Sequence, residues 1–151
     1  MKFAGTVLLA FLLALSAWAR AGDAGAKRVV VILHPSNGTS AIDMSQLAQI
    51  YKGVRRSWNA HLRISVYLPP ATSPAMAALA SGVFKVPRPE DVSTFYANAV
   101  QRKIFATAPE ILASDAAVVK RVAAEPGAIG VVDASQVADP TSVKVLVVDG
   151  L

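Results

Sequence analysis

The sequence predicts an α/β fold in three layers, with a mainly parallel or mixed sheet covered by helices on both faces. Three observations carry that expectation. Arg28 to Leu33 (RVVVIL) is an unbroken run rich in β-branched residues, the pattern of a strand buried on both sides. Val143 to Val148 (VKVLVV) closes the chain with a second such run. Between them, helical and strand-like patterns alternate, and strands interleaved with helices favour parallel pairing.

Taken in order, His34-Pro35-Ser36-Asn37-Gly38-Thr39-Ser40 ends the first strand with turn formers. Met44 to Lys52 is predicted helical. Asp43 is placed to accept from the Gln46 amide while Gln46 reaches back, and Ile42 and Leu47 occupy the positions of a hydrophobic staple. Leu47, Ile50 and Tyr51 repeat at helical spacing, and Gly53 is placed to end the helix in a left-handed turn. A polar link with Arg55, Arg56 and Trp58 follows. In Leu62–Leu68, apolar Leu62, Ile64, Val66 and Leu68 alternate with Arg63, Ser65 and Tyr67, predicting one strand with a single face on the core.

Pro69-Pro70 stops that strand. Thr72-Ser73-Pro74 offers an N-cap and then proline at the first helical position, so Ala75–Ala80 is predicted helical. Pro89–Ile104 predicts a longer helix, with Val92, Phe95, Tyr96, Ala99 and Lys103 along one stripe. Thr107-Ala108-Pro109 is a loop. Ser114 is placed to cap a helix over Asp115–Ala124, which turns Val118, Val119 and Val122 inward and ends at Pro126-Gly127. Ala128–Val132 is a short strand. The closing strand at Val143–Val148 is expected to be central or nearly so.

The chain's start has the form of a cleavable signal peptide over residues 1–21. Lys2 is followed by an apolar run from Phe3 to Ala17, then by the small-residue sites Ala17-Trp18-Ala19 and Ala19-Arg20-Ala21. That run is shorter than the ~20 residues needed to span a bilayer. Residues 22–27 form a Gly/Ala-rich lead-in, and residues 28–151 are of single-domain size. The leader inflates the hydrophobic share of 54%, so the composition does not argue for a membrane protein.

The absence of cysteine excludes disulfides, thiol chemistry and a lipid anchor on cysteine. Cleavage removes Lys2 and Arg20 and leaves a net charge of only +3, with no basic run longer than Arg55-Arg56, so nucleic acid is not an expected partner. His34 and His61 lack metal-ligand spacing, and no nucleophile elbow, P-loop or dinucleotide loop occurs. Neither an enzyme nor a cofactor is predicted.

Two phrases resemble a known family. Ile42-Asp43-x-x-x-Leu47-x-x-Ile50-Tyr51-x-Gly53, followed by Trp58, is similar to a segment of the phosphate-type periplasmic substrate-binding proteins of ABC importers. Ala113-Ser114-Asp115 through Pro126-Gly127-Ala128-Ile129-Gly130-Val131 resembles a second segment of the same family, and Val143–Gly150 resembles the strand that follows it. The resemblance implies a single lobe of a type 2 periplasmic-binding-protein fold, a small oxyanion such as phosphate as ligand, and an ABC permease or another periplasmic or membrane protein as partner. It also exposes a departure. The family's Arg-x-x-Gly-Ser-Gly-Thr phosphate loop is replaced here by Leu68-Pro69-Pro70-Ala71-Thr72-Ser73-Pro74. The arginine and both glycines are missing, and prolines remove backbone donors.

The candidate ligand-binding residues are Ser36, Asn37, Thr39 and Ser40 after the first strand, Thr72 and Ser73 before the second helix, and Ser114. Hydroxyls and helix-start amides at a sheet edge suit an oxyanion. The competing assignment makes Ser73 or Thr72, and Ser114, ordinary helix caps and Ser36–Ser40 an ordinary turn. Arg55 and Arg56 suit an acidic group or a solvated loop, and Trp58 and Tyr96 suit packing. The alternative function is a protein–protein interaction module that kept the fold and lost the ligand.

Overall fold

A computed structural model of the chain describes residues 28–151; the predicted signal peptide (1–21) and lead-in (22–27) lie outside the described residues. Strands are β1 Val29–Leu33, β2 Ser57–Asn59, β3 Leu62–Arg63, β4 Ser65–Leu68, β5 Glu110–Ile111, β6 Ala128–Asp133 and β7 Lys144–Leu146. Helices are α1 Met44–Tyr51, α2 Pro74–Leu79, α3 Asp91–Gln101 and α4 Asp115–Ala124. The main sheet runs β5-β4-β6-β1-β7, and β2 and β3 form a separate hairpin. β4 is parallel to both β5 and β6, whereas β1 is antiparallel to both β6 and β7. The sheet is mixed, with β1 alone running against the other four strands.

Every residue of β1 is buried, as its apolar run predicts, and every residue of β6 is buried as well. Alternate β1 side chains enter two cores. Val29, Val31 and Leu33 pack with α1, α2 and α3, while Val30 and Ile32 pack with Val118 and Val122 of α4. The three layers follow directly. Among the described residues, no helix is long and apolar enough to cross a membrane.

Local signals translate faithfully into α1. The Asp43 carboxylate accepts from Gln46 N at 2.7 Å, and Gln46 Oε1 accepts from Asp43 N at 3.1 Å. Ile42 and Leu47 are both buried in the first core. Gly53 has φ of 77°, and the Phe105 ring lies where a Cβ would project, so both backbone and packing demand glycine.

Several expectations need correction. The single strand over Leu62–Leu68 is two, because the chain changes partners at Ile64. Its amide donates to Arg56 O, within the β2–β3 hairpin, and the next amide, of Ser65, donates to Gly127 O, at the entry to β6. Its second face is also covered, since Tyr67 enters the α4 core and the Ser65 and Tyr67 hydroxyls donate to the Glu125 carboxylate. The closing strand is an edge. Only Lys144–Leu146 pair with β1, and Val145 and Val147 are 40% and 62% exposed. The α2 helix runs on through a π turn, Ala80–Phe84, until Lys85 takes up a left-handed φ of 55°. α3 is shorter than predicted, and Lys103 leaves its stripe with φ of 59°. β5 was not anticipated, since two exposed residues carry no strand pattern.

Tyr51 and Tyr96 anchor the first core. Tyr96 Oη donates to Tyr51 O at 2.5 Å and Tyr51 Oη to Tyr67 O at 3.4 Å. Burial pushes both phenols well above the ordinary tyrosine range, so both stay protonated donors.

Candidate functional site

Parallel neighbours leave a sheet at the same edge, and that is where α/β sheets receive ligands. β4 and β6 are such neighbours, with Ser65 opposite Ala128. After Leu68 the chain turns through Pro69–Thr72 into α2. Ser73 caps it, accepting Ala75 N at 3.1 Å, and Pro74 occupies the first turn. Beside it, Ser114 caps α4 by accepting Ala117 N at 3.1 Å. β6 ends at Asp133. These segments enclose an open pocket of about 280 Å³, lined by Thr72, Ser73, Ser114, Asp115, Asp133 and their neighbours.

A buried carboxylate ties the pocket together. Asp115, 7% exposed, accepts from the Ser73 hydroxyl at 2.9 Å and from the Asp133 amide at 2.7 Å, both at Oδ2. One atom thus connects the starts of α2 and α4 to the end of β6. The Ser73 hydroxyl is fully engaged, donating to Asp115 and accepting from Ala75. Thr72 and Ser114 are exposed, and in the first turn of α4 the Ala117 amide is capped by Ser114 while the amides of Asp115 and Ala116 have no acceptor within the helix.

Asp133 is held below the ordinary aspartate range, chiefly by the Ser135 amide and hydroxyl that its Oδ1 accepts, then by the Arg28 guanidinium 3.5 Å away. Its contribution to stability is therefore present above the ordinary value of 3.8 and lost as pH falls through the lower folded value. The melting temperature of the wild-type protein is expected to fall more steeply below about pH 4 than that of Asp133→Asn. Identical acid limbs in the two melting curves would remove Asp133 as the cause.

The seven candidate residues do not form one site. Thr72, Ser73 and Ser114 gather at the pocket. Ser36, Asn37, Thr39 and Ser40 follow the C-terminal end of β1, and because β1 is antiparallel this is the opposite edge. Leu33 lies opposite Ile129, near the start of β6, while Val29 lies opposite Asp133 at its end. The Ser36 hydroxyl contacts His34 Nδ1 at 2.7 Å. Asn37 is buried and accepts Thr39 N at 2.9 Å, and the Lys144 ammonium donates to the Asn37 and Thr39 carbonyls. That loop is a turn clipped to the start of β7. Sequence reasoning missed Asp115 and Asp133 as members of the pocket, and Arg28 as the partner of Asp133. Asp115 in the first turn of α4 was visible as a helix-start acid, but nothing local announced its burial.

The fold agrees with solved structures. A Vibrio cholerae ABC-type phosphate transport receptor superposes with a TM-score of 0.60 at 18% identity, covering 80% of this chain and 46% of the receptor. PstS from Borrelia burgdorferi gives 0.58 at 15% identity, covering 81% and 47%. A Clostridium perfringens protein whose crystal structure contains bound phosphate gives 0.60 at 19% identity, covering 82% and 45%. The chain thus spans just under half the length of each. No curated protein matches the sequence. The model of the PBP superfamily domain matches residues 16–148, nearly the whole sequence, and the chain belongs to that family.

Proposed function

We propose that this chain is an exported binding domain, cleaved after Ala21, that takes a small oxyanion such as phosphate for ABC-type uptake or sensing. Its role is binding rather than catalysis, and its macromolecular partner is an ABC permease or another periplasmic or membrane protein. The ligand is received at the β4/β6 edge by the Thr72 and Ser114 hydroxyls and the first-turn amides of α4. The observation that supports this most directly is the position of the pocket, at the strand ends and helix starts of a fold shared with phosphate receptors over about 80% of the chain.

Affinity is expected in the millimolar range. One lobe leaves the far side of the ligand in water, and the carboxylates of Asp115 and Asp133 repel an anion. Thermal melting in rising phosphate or sulfate tests the proposal. At ten times the dissociation constant, binding adds ~1.4 kcal/mol to stability, and the rise should saturate and vanish in Thr72→Ala/Ser114→Ala. A melting temperature indifferent to both anions overturns the oxyanion assignment and leaves the interaction module as the working function.

A further inference from the structure

A second cavity, of about 360 Å³, lies at the other end of β4 from the pocket of Thr72 and Ser114. Its floor is apolar: Ile64 and Val66 are only half-buried, and Ile104, 39% exposed, and Phe105 close one side. Three arginines, Arg55, Arg56 and Arg63, are among the residues that line it. Among the described residues, no acidic one lines it.

Two of these arginines are ordered by neutral partners. Arg56 donates through Nε to Gly53 O at 2.9 Å and through Nη2 to Ile104 O at 2.7 Å. Arg55 donates through Nε to Ser57 O at 3.3 Å and lies 5.4 Å from the centre of the Trp58 ring. Among the described residues, none of the three forms an ion pair with a carboxylate; the pairs present use Arg28, Arg88 and Arg121. Glu125, which accepts from Ser65 and Tyr67, is engaged on the α4 side of the sheet.

The sequence accentuates the imbalance. Between Asp43 and Glu90, and again between Asp91 and Glu110, there is no Asp or Glu, while Lys52 and Lys103 adjoin residues that wall the cavity. Ordered guanidiniums without counter-charges, above an open apolar floor, form a receptor for a ligand with one anionic end and one apolar end.

We infer that this cavity binds a small organic carboxylate, its flat or branched apolar body against Ile64, Val66 and Phe105 and its carboxylate against the arginine rim. A planar carboxylate matches the guanidinium fork, and the existing order of Arg55 and Arg56 lowers the entropy lost on binding. The site is separate from the β4/β6 edge and does not depend on the oxyanion proposal.

Titration of the isotopically labelled protein with benzoate, followed by amide NMR shifts, tests it. Saturating shifts are expected at Gly53, Ile64 and Phe105, with Thr72 and Ala116 unmoved. Acetate and benzyl alcohol should each bind at least about tenfold more weakly, since each lacks one half of the recognition. Arg63→Glu should weaken benzoate about tenfold or more while the rest of the spectrum stays in place, because among the described residues the Arg63 side chain has no hydrogen-bond partner. Arg55→Gln checks the same rim from its other wall. Absence of benzoate shifts at these amides, or equal binding of acetate and benzoate, overturns the inference. Phosphate shifts confined to Thr72 and Ala116 bear only on the other pocket, so the two proposals stand or fall separately.

Discussion

Gly127→Ala is expected to destabilise the protein by at least about 3 kcal/mol and to lower its melting temperature by about 10 °C or more. A Cβ at this position would lie 2.1 Å from the Arg63 carbonyl oxygen, and that neighbour is backbone, with no flexible tip to swing aside. The same residue is a hub. Its carbonyl accepts Trp58 Nε1 at 2.9 Å and the Ser65 amide at 3.0 Å, so it anchors the β2–β3 hairpin and sets the register of β4 on β6. Relieving the clash moves at least one of these acceptors, each worth about 1 kcal/mol. Gly38→Ala is the control, because nothing lies within 4 Å of its Cβ position. Urea or thermal melts that superpose for Gly127→Ala and wild type would show that the close approach is not a feature of the folded protein.

The second large effect is expected at Asp115. Removing its carboxylate in Asp115→Ala strands two buried donors, the Ser73 hydroxyl and the Asp133 amide, and should cost about 3 kcal/mol. Asp115→Asn keeps a carbonyl acceptor and should lose about half as much. Combining Asp115→Ala with Ser73→Ala should lose less than the sum of the two, with a coupling of about 1 kcal/mol, because the second substitution removes a donor already unpaired. Strict additivity in that cycle would contradict the hydrogen bond. Because Asp115 joins the starts of α2 and α4 to the end of β6, this variant also tests whether the pocket depends on one atom for its shape.

Legibility in the sequence followed the range of the interaction. Capping at Asp43, Ser73 and Ser114, the left-handed turn at Gly53 and the burial of β1 were all readable. Each depends on residues within a few positions, or on a run too apolar to be exposed. The split at Ile64 was not readable, because the alternation of Leu62–Leu68 is the same whether the strand has one partner or changes partners midway. The edge position of β7 was hidden for a similar reason: VKVLVV is as apolar as a central strand, and only its pairing with β1 alone leaves Val145 and Val147 in water.

The candidate site shows the same division. That Ser73 and Ser114 begin helices, and that Pro69 and Pro70 remove backbone donors from the loop before α2, belongs to the sequence by itself, because caps and missing amides are properties of neighbouring residues. Tertiary structure alone decided which loops share an edge. The antiparallel course of β1 carries Ser36–Ser40 away from Thr72 and brings Arg28 to Asp133 instead. It likewise buried Asp115 beneath Ser73, 42 residues away, and set the arginine rim against Phe105. Strand direction is a choice among long-range pairings of similar local merit, and it is settled only when every strand and both cores are assembled at once.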